Sequence, residues 1–555
     1  MPSASGRAAV IGAAFAALVT IPGLGLGTLW DNSETAYGEV AREVLLAHDP
    51  VVLHLNGAPW FVQPPLYFWI AALCAKLFGV APFALRLPSA LATIAMGAAV
   101  GFATARFAGS RAGIYAGVIL STSWMQVALG RLAIMDALLD LCVTATTLWW
   151  FRAFEPPRQA SELERGKRRR ALVFGSLAAG LGLLVKGPVA LVVPVLIVGT
   201  WALWQRASGV RPQGPRVGAY VLAAAALAIT VLPWSFLLAH RAGFKPLAEM
   251  VGHYTIGRYV GVIENQSGAW YYYLPVLILG FVPWIAFLPP ALASGWRRAA
   301  GDDPLARLAL VWAFVPIVFF SFARTKLPNY IALEWPALAI LTALWFDRVS
   351  VGQARRTAII AVAAMPFTIA SVAIALVIFS RNGRFGAELA AVQPDLLILA
   401  VTTIVGSLLT LATITARRER WAPYVFALTG ASIVLQIVYV IEPRAEAYKP
   451  IPPLASVIEA QRRPGDLVVI AGVSGENAVM FYTEPNVRAM QTIGGQFDAA
   501  SSRTICFAPR LFLLAPVDDL SRIPTVGRRL RVIATAHKVA LLLYDGPPCE
   551  RREAR

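Results

Sequence analysis

Charge is what this 555-residue chain has least of: 14% of its residues are Asp, Glu, Lys or Arg, against 57% hydrophobic. An ordinary soluble domain is about 25% charged, so the chain lacks the polar surface to cover itself in water. Disorder and coiled coil are excluded on the same ground. Cysteine is scarce too, four residues in all. That excludes a disulfide-built scaffold and leaves too few thiols for a structural metal site. No Walker A or Rossmann glycine pattern, HExxH or GxSxG in context is present, so cytoplasmic nucleotide chemistry, zinc proteolysis and serine hydrolysis lack support. Nor is there a visible internal repeat of the kind that marks the inverted halves of a transporter.

What is present is a series of apolar stretches. Clear ones begin near residues 8, 84, 112, 132, 171, 188, 218, 271, 304, 329, 357, 395 and 421, each about 16–25 residues long, which suits a hydrocarbon core of about 30 Å. A further stretch at 64–79 is short and opens on Pro64-Pro65. The formal net charge of +18 decides how to treat it. With thirteen spans and the N-terminus inside, the inner connections (1–7, 106–111, 152–170, 206–217, 292–303, 347–356 and 417–420) carry 21 of the 49 Lys and Arg in 70 residues. The outer ones before residue 395 carry 11 in 108. This is the positive-inside bias, and it is lost if 64–79 crosses the membrane. That stretch is therefore read as an interfacial helix, with Trp60, Phe61, Tyr67, Phe68 and Trp69 at headgroup level. The basic excess is a topology signal, and short scattered clusters do not describe a nucleic-acid partner. The first span reads as an uncleaved anchor.

From Glu442 the composition changes: residues 442–555 hold 15 Lys and Arg with 12 Asp and Glu. Short apolar runs at 467–471 and 539–543 read as strands and 454–462 as an amphipathic helix, making a small soluble α/β domain. The expected division is 1–441, a transmembrane domain whose outer loop 30–83 carries juxtamembrane helices, and 442–555 outside the membrane. Cys74 and Cys142 read as packing residues. Cys506 and Cys549 share the outer domain, where a disulfide is one of two open states.

Ionisable groups at membrane depth are costly and functional by default. Those near the span ends gather on the outer side: Asp31, Glu34, Glu39, Arg42 and Glu43 after the first span, Arg86 at the second, Asp136 near Arg131, Lys186 in Lys186-Gly187-Pro188, His253 and Arg258 in the 241–270 loop, and Arg324 and Lys326 before Leu327-Pro328-Asn329-Tyr330. A transport path more often places polar groups on both sides of the midplane. The set Glu39, Arg42, Glu43 at i, i+3 and i+4 reads as a solvated helix face with local ion pairs. Lys186 could snorkel, but Asp136, inside an apolar segment, has no solubility reason to be there. Carboxylates and cations at one membrane surface fit an anionic lipid-linked substrate. Cations hold a phosphate leaving group, a carboxylate serves as general base on an acceptor hydroxyl, and apolar walls hold a lipid tail.

The run from Leu29 to Glu43, then Leu55-Asn56-Gly57, Gln63 to Trp69, Arg86-Leu87-Pro88-Ser89, Gly130-Arg131 with Asp136, Lys186-Gly187-Pro188, the 253–273 segment and Lys326-Leu327-Pro328-Asn329-Tyr330 resemble, in order, bacterial lipid-dependent glycosyltransferases of the aminoarabinose (lipid A) transferase and protein mannosyltransferase-like families. The resemblance implies a GT-C fold, a polyprenyl-phosphate sugar donor, an acceptor lipid, glycan or protein at the outer leaflet, and inversion at the anomeric carbon. It makes Glu34 or Asp31 the outer-loop acid, since the family's Asp-Glu pair before a Tyr reads Ser33-Glu34 here, and Asp136 the second acid. It assigns Lys186, Arg258, Lys326 and Arg86 to the donor phosphate, because Gln63 stands where many relatives have a Lys. Tyr37, Gln63, His253 and Tyr330 are the remaining substrate-binding candidates. No cofactor is required by this reading; a divalent metal stays open, two acids near one His being able to ligate one. The expected protein is thus a polytopic α-helical inner-membrane enzyme with a C-terminal α/β domain. The alternatives are a transporter or flippase of lipid-linked or small anionic substrates, and a non-catalytic scaffold.

Overall fold

A computed structural model describes residues 3–30, 33–155, 161–263, 266–366, 386–473, 475–483, 487–490, 492–493, 496–497, 510–523 and 529–545, with the backbone alone at 386–394 and 487–497. Cys506 and Cys549 fall outside the described residues, as does Asp31. The chain divides into two compact units: Met1–Gly25, Phe61–Ile70 and Arg86–Ile441 form one, and Leu26–Trp60, Ala71–Leu85 and Glu442–Arg555 the other.

The larger unit is helical. Among the described residues seven helices are long and apolar enough to cross a membrane, and nine if the bent pairs Ser110–Ser121 with Trp124–Arg131 and Tyr273–Gly280 with Trp284–Ala300 are each one crossing. The other segments expected to span include Ala4–Thr20 (α1), Asp136–Phe154 and Glu162–Lys186, the last two carrying ionisable residues at their ends. The segment from 357 lies partly outside the described residues. The chain is a polytopic α-helical membrane protein. The helix Leu66–Phe78 has 13 residues, about 20 Å at 1.5 Å per residue, which is short of the hydrocarbon core.

Two devices hold α1 in place. A Cβ added to Gly12 would lie 2.4 Å from the Gly97 carbonyl oxygen and 3.2 Å from Gly117 Cα, so three helices meet backbone to backbone, the small-residue packing that replaces hydrophobic drive in lipid. At the other end Arg131 donates to the carbonyls of Thr20 (2.9 Å), Pro22 (2.8 Å) and Gly23 (3.1 Å). These include acceptors that a helix C-terminus leaves without an internal partner.

The smaller unit contains α2 (Ser33–Leu46) and two strand pairs, β1 (His54–Leu55) with β2 (Ala58–Pro59) and β5 (Thr492–Ile493) with β6 (Gln496–Phe497). Its main sheet has the order β4-β3-β7-β9-β8, built from β3 (Leu467–Ala471), β4 (Val487–Met490), β7 (Leu511–Pro516), β8 (Arg529–Ala536) and β9 (Val539–Asp545). Strands β4, β3 and β7 are parallel, with Val468 opposite Val487 and Leu467 opposite Leu511. Strand β9 joins antiparallel, Leu511 facing Tyr544. The unbroken apolar runs of β3, β7 and β9 mark strands covered on both faces. Val468, Ile470, Phe512, Leu514, Leu541 and Leu543 pack with Ile451, Leu454, Ile458 and Val479 on one face. Val469, Leu511, Leu513, Leu542 and Tyr544 form the other.

The face of α2 expected to be solvated is buried. Glu39 and Glu43 are 1% and 6% exposed, because α2 lies against the helix Glu476–Tyr482 of the same unit. Arg42 bonds Glu39 at 2.8 Å, donates to the carbonyls of Phe481 (3.1 Å) and Met480 (3.2 Å), and stands over the Phe481 ring. Glu43 accepts from the Gly57 amide. Burial pushes the Glu39 carboxyl up to about 7 even against the neighbouring Arg42.

Candidate active site

In the larger unit the chain turns back at the ends of three segments, and their polar residues meet. Asp136 opens the helix Asp136–Phe154, where a negative charge favours the dipole. Lys186 closes the helix Glu162–Lys186, where a cation does, and Gly187 ends that helix at φ +74°. The Lys186 ammonium lies 2.5 Å from Asp136 Oδ1, and the Asn329 amide donates to the same oxygen at 2.7 Å. Both bonds fall on Oδ1. Tyr330, next to Asn329, places its ring 5.7 Å from the Lys186 nitrogen. The turn Pro328–Glu334 that carries both residues is pinned by Trp312, whose indole donates to the Leu333 carbonyl at 2.7 Å.

Beside Gly187, where an added Cβ would lie 3.7 Å from the Thr255 hydroxyl oxygen, runs the segment that continues to the described residues 258–263 and 266. Its backbone is knitted to 324–326: Arg324 N donates to Tyr259 O (2.9 Å), Thr325 N to Arg258 O (3.1 Å) and Lys326 N to Gln266 O (2.9 Å), while the Thr325 hydroxyl bridges Gly261 O and Ile263 N. The backbones of Arg258 and Lys326 are thereby held in one hydrogen-bonded loop cluster. Their roles separate there. The Lys326 ammonium donates to the carbonyls of Phe320, Ser321 and Ala323, three acceptors for three protons, closing the end of the helix Pro304–Ser321. Burial pushes it below the ordinary lysine range. Arg86 is likewise buried and donates to the Leu24 carbonyl at 3.2 Å. His253 is exposed, on the turn Gly252–Gly257 that leads into Arg258, and Gln63 is half-buried at the approach to the helix Leu66–Phe78.

In the smaller unit Glu34 is buried at the first turn of α2 and accepts from the Trp30 amide at 2.8 Å. Tyr37, one turn on, meets Trp60 edge-on at 6.3 Å between centroids. Asp140, one turn deeper than Asp136, is buried and its Oδ2 has no hydrogen-bond partner among the described residues. Among the described residues no group of three or more His, Cys, Asp or Glu could hold a metal ion.

Two contributors escape a reading of the sequence. Asn329 is visible only as one letter of a motif, although an amide placed just after a proline at a span end is a usable signal. Arg131 sits beside Asp136 in sequence and looks like a site cation, yet its bonds are structural.

The architecture, membrane helices followed by a small mixed sheet, is that of the GT-C fold. It superposes with a TM-score of 0.81 on the structure of ArnT from Cupriavidus metallidurans bound to undecaprenyl phosphate, covering 97% of this chain and 99% of that one at 21% identity. The apo state of the same protein matches at 0.79. A family model, dolichyl-phosphate-mannose-protein mannosyltransferase, matches residues 62–234. In sequence the chain is similar to the undecaprenyl phosphate-alpha-4-amino-4-deoxy-L-arabinose arabinosyl transferase of Edwardsiella ictaluri (34% identical over 340 residues, 60% of this chain and 58% of that one). The protein of the same name from Yersinia enterocolitica is 32% identical over 345 residues, 61% and 59%. The matched part thus spans somewhat under two thirds of these curated relatives. The resemblance drawn from the motifs holds in sequence and in fold.

Proposed function

We propose that the protein is an inner-membrane glycosyltransferase that moves a pentosyl or hexosyl group from a polyprenyl-phosphate donor to an acceptor on a glycolipid of the lipid A type, another glycan or a protein. The observation that carries this reading is the Asp136–Lys186–Asn329 centre at one end of the helical unit. A carboxylate held through Oδ1 by an ammonium and an amide keeps Oδ2 for an acceptor hydroxyl. As the acceptor hydroxyl oxygen attacks the anomeric carbon with inversion, the C–O bond to the lipid phosphate breaks, the hydroxyl proton passes to Asp136, and negative charge grows on the departing phosphate. Lys186, tied to the base, and Arg258 in the adjoining loop answer that charge. Tyr330 and His253 line the donor side; Lys326 supports it by closing the end of a helix and Arg86 by holding the turn at Leu24. The outer-loop acid implied by the resemblance, Glu34 or Asp31, is the competing assignment for the base. Similarity to the aminoarabinosyl transferases and to an undecaprenyl-phosphate complex supports the donor class. The charge bias supports a cytoplasmic N-terminus and an extracytoplasmic C-terminal domain, which alkaline-phosphatase fusions at residues 160 and 546 would test. The reaction is written without a cofactor, and an EDTA arm tests for one.

The deciding experiment incubates the purified protein in nanodiscs with radiolabelled undecaprenyl-phosphate sugar and an outer-membrane lipid extract. Asp136→Asn should cut transfer per folded molecule by about 100-fold or more. Undiminished transfer in Asp136→Asn together with loss in Glu34→Gln moves the base to the outer loop. Movement of donor across liposomes without transfer favours the transporter.

A further inference from the structure

The C-terminal domain and the first outer loop are nearly 420 residues apart in sequence, yet Leu26–Trp60 and Glu442–Arg555 belong to one compact unit, and their junction is polar and specific. Thr28 is engaged at every polar atom. Its amide donates to Glu446 Oε1 at 3.0 Å, its hydroxyl bonds the same oxygen, and its carbonyl accepts from the Lys449 ammonium at 2.9 Å. Lys449 pairs with Glu446 at 2.8 Å and stands 4.0 Å from the centre of the Trp30 ring. The Leu29 amide donates to the Tyr482 hydroxyl at 2.7 Å. Trp30, the next residue, donates its amide to Glu34, and Asp31 follows it in the chain.

Two further features show that this contact is built. Gly27 takes a left-handed φ of +67°, and a Cβ there would lie 2.9 Å from Glu446 Oε2, so any side chain there would strain the backbone and displace the carboxylate. A Cβ at Gly38 would lie 3.0 Å from the Phe481 ring, so α2 seats closely on the helix that carries Tyr482.

We propose that Glu446, Lys449 and Tyr482 form a clasp by which the C-terminal domain fixes the backbone of residues 28–30, making these three the positioning residues for the outer-loop acid. For its functional half the proposal rests on the glycosyltransferase reading and on the outer-loop acid, Glu34 or Asp31, taking part in transfer. It gives the C-terminal domain a task within the reaction, distinct from the binding of a separate partner. Glu446 and Lys449 grip one residue from both sides, and Tyr482 takes the next amide. The helix N-terminus carrying Glu34 then starts from a fixed point, and positioning of this kind is worth rate because a misplaced catalytic group is costly.

The test uses full-length protein in nanodiscs with two readouts. Hydrogen–deuterium exchange is followed over residues 26–36, and steady-state transfer is measured from radiolabelled undecaprenyl-phosphate sugar. Glu446→Gln, Lys449→Met and Tyr482→Phe should each speed exchange at 28–30 while leaving β3, β7 and β9 protected. Each should lower kcat about tenfold, the equivalent of one lost hydrogen bond of about 1.4 kcal/mol, with the donor KM within twofold, and Lys449→Arg should recover part of the rate. Arg531→Ala, at an exposed pair with Asp545 on the far strands of the sheet, should change neither readout. Unchanged exchange in all three variants overturns the clasp. Faster exchange with kcat unchanged, or with kcat and KM moving together with the fraction of folded protein, overturns its positioning role. Wild-type protein that transfers no sugar overturns the functional reading and that role with it, while the exchange data still decide the clasp.

Discussion

Replacing Lys186 by Met keeps the length of the side chain and removes the ammonium that lies 2.5 Å from Asp136 Oδ1. The pair is mostly out of solvent, 18% and 8% exposed. Breaking one side of such a pair strands the other charge, at a cost of about 3–5 kcal/mol. Asn329 still donates to the same oxygen at 2.7 Å, so the low end, about 3 kcal/mol, is expected. Asp136→Asn alone should cost less, about 1–2 kcal/mol, because its amide oxygen can still accept from both the Lys186 ammonium and Asn329, so the remaining charge keeps a hydrogen bond. The double variant carries neither charge, so its cost should fall at least about 2 kcal/mol short of the sum of the singles. Equilibrium unfolding in mixed SDS–detergent micelles measures the four corners of this cycle. Transfer assays on the same samples add a second criterion: stability should recover in the double variant while activity stays at least about 100-fold down, since both proposed groups are gone. Additive destabilisation within about 0.5 kcal/mol would refute the coupling, and recovery of transfer in the double variant would refute the chemistry.

Arg131→Gln should destabilise the helical unit by about 2–3 kcal/mol, because the carbonyls of Thr20, Pro22 and Gly23 lose their donor. The same unfolding assay reads this, and the donor KM of the folded fraction should not move. Glu39 provides a pH test. Its carboxyl is raised from 4.5 to about 7, chiefly by burial, so the folded state holds the proton more tightly than the unfolded one. The resulting stabilisation is complete below about pH 4.5 and is lost as pH rises through about 7. Glu39→Gln should flatten the slope of stability between those values, and an unchanged slope would show that Arg42 dominates the site.

The polytopic helical character was legible because the bilayer demands about 20 apolar residues in a row whatever the neighbours are, and β3 and β9 because strands covered on both faces need not alternate. What stayed hidden depended on residues far apart in the chain. Asp136 and Lys186 are 50 positions apart and Asp136 and Asn329 are 193 apart, so each could be singled out as costly at membrane depth, while only the fold makes them partners. The charged stripe of α2 misled for the same reason. Local spacing at i, i+3 and i+4 describes a helix surface equally well whether water or another helix covers it. Here the cover is Met480 and Phe481, more than 430 residues downstream.

The four cations assigned alike to the donor phosphate can be ranked by what their protons already do. An ammonium has three donors, and Lys326 directs its three at the carbonyls of Phe320, Ser321 and Ala323. Turning it toward a phosphate would strand three acceptors at the end of a helix, where lipid offers no substitute. Arg86 is 2% exposed and donates to Leu24, so it too belongs to the frame. Lys186 differs because its partner is the proposed base itself. One ammonium can then feel both the proton arriving on Asp136 and the charge leaving with the phosphate: as Asp136 is neutralised, the attraction holding Lys186 to it falls, and the growing phosphate charge becomes its stronger partner. With Gln63 supplying no charge of its own, the proposed reaction places departure of the lipid phosphate on Lys186, with Arg258 assisting.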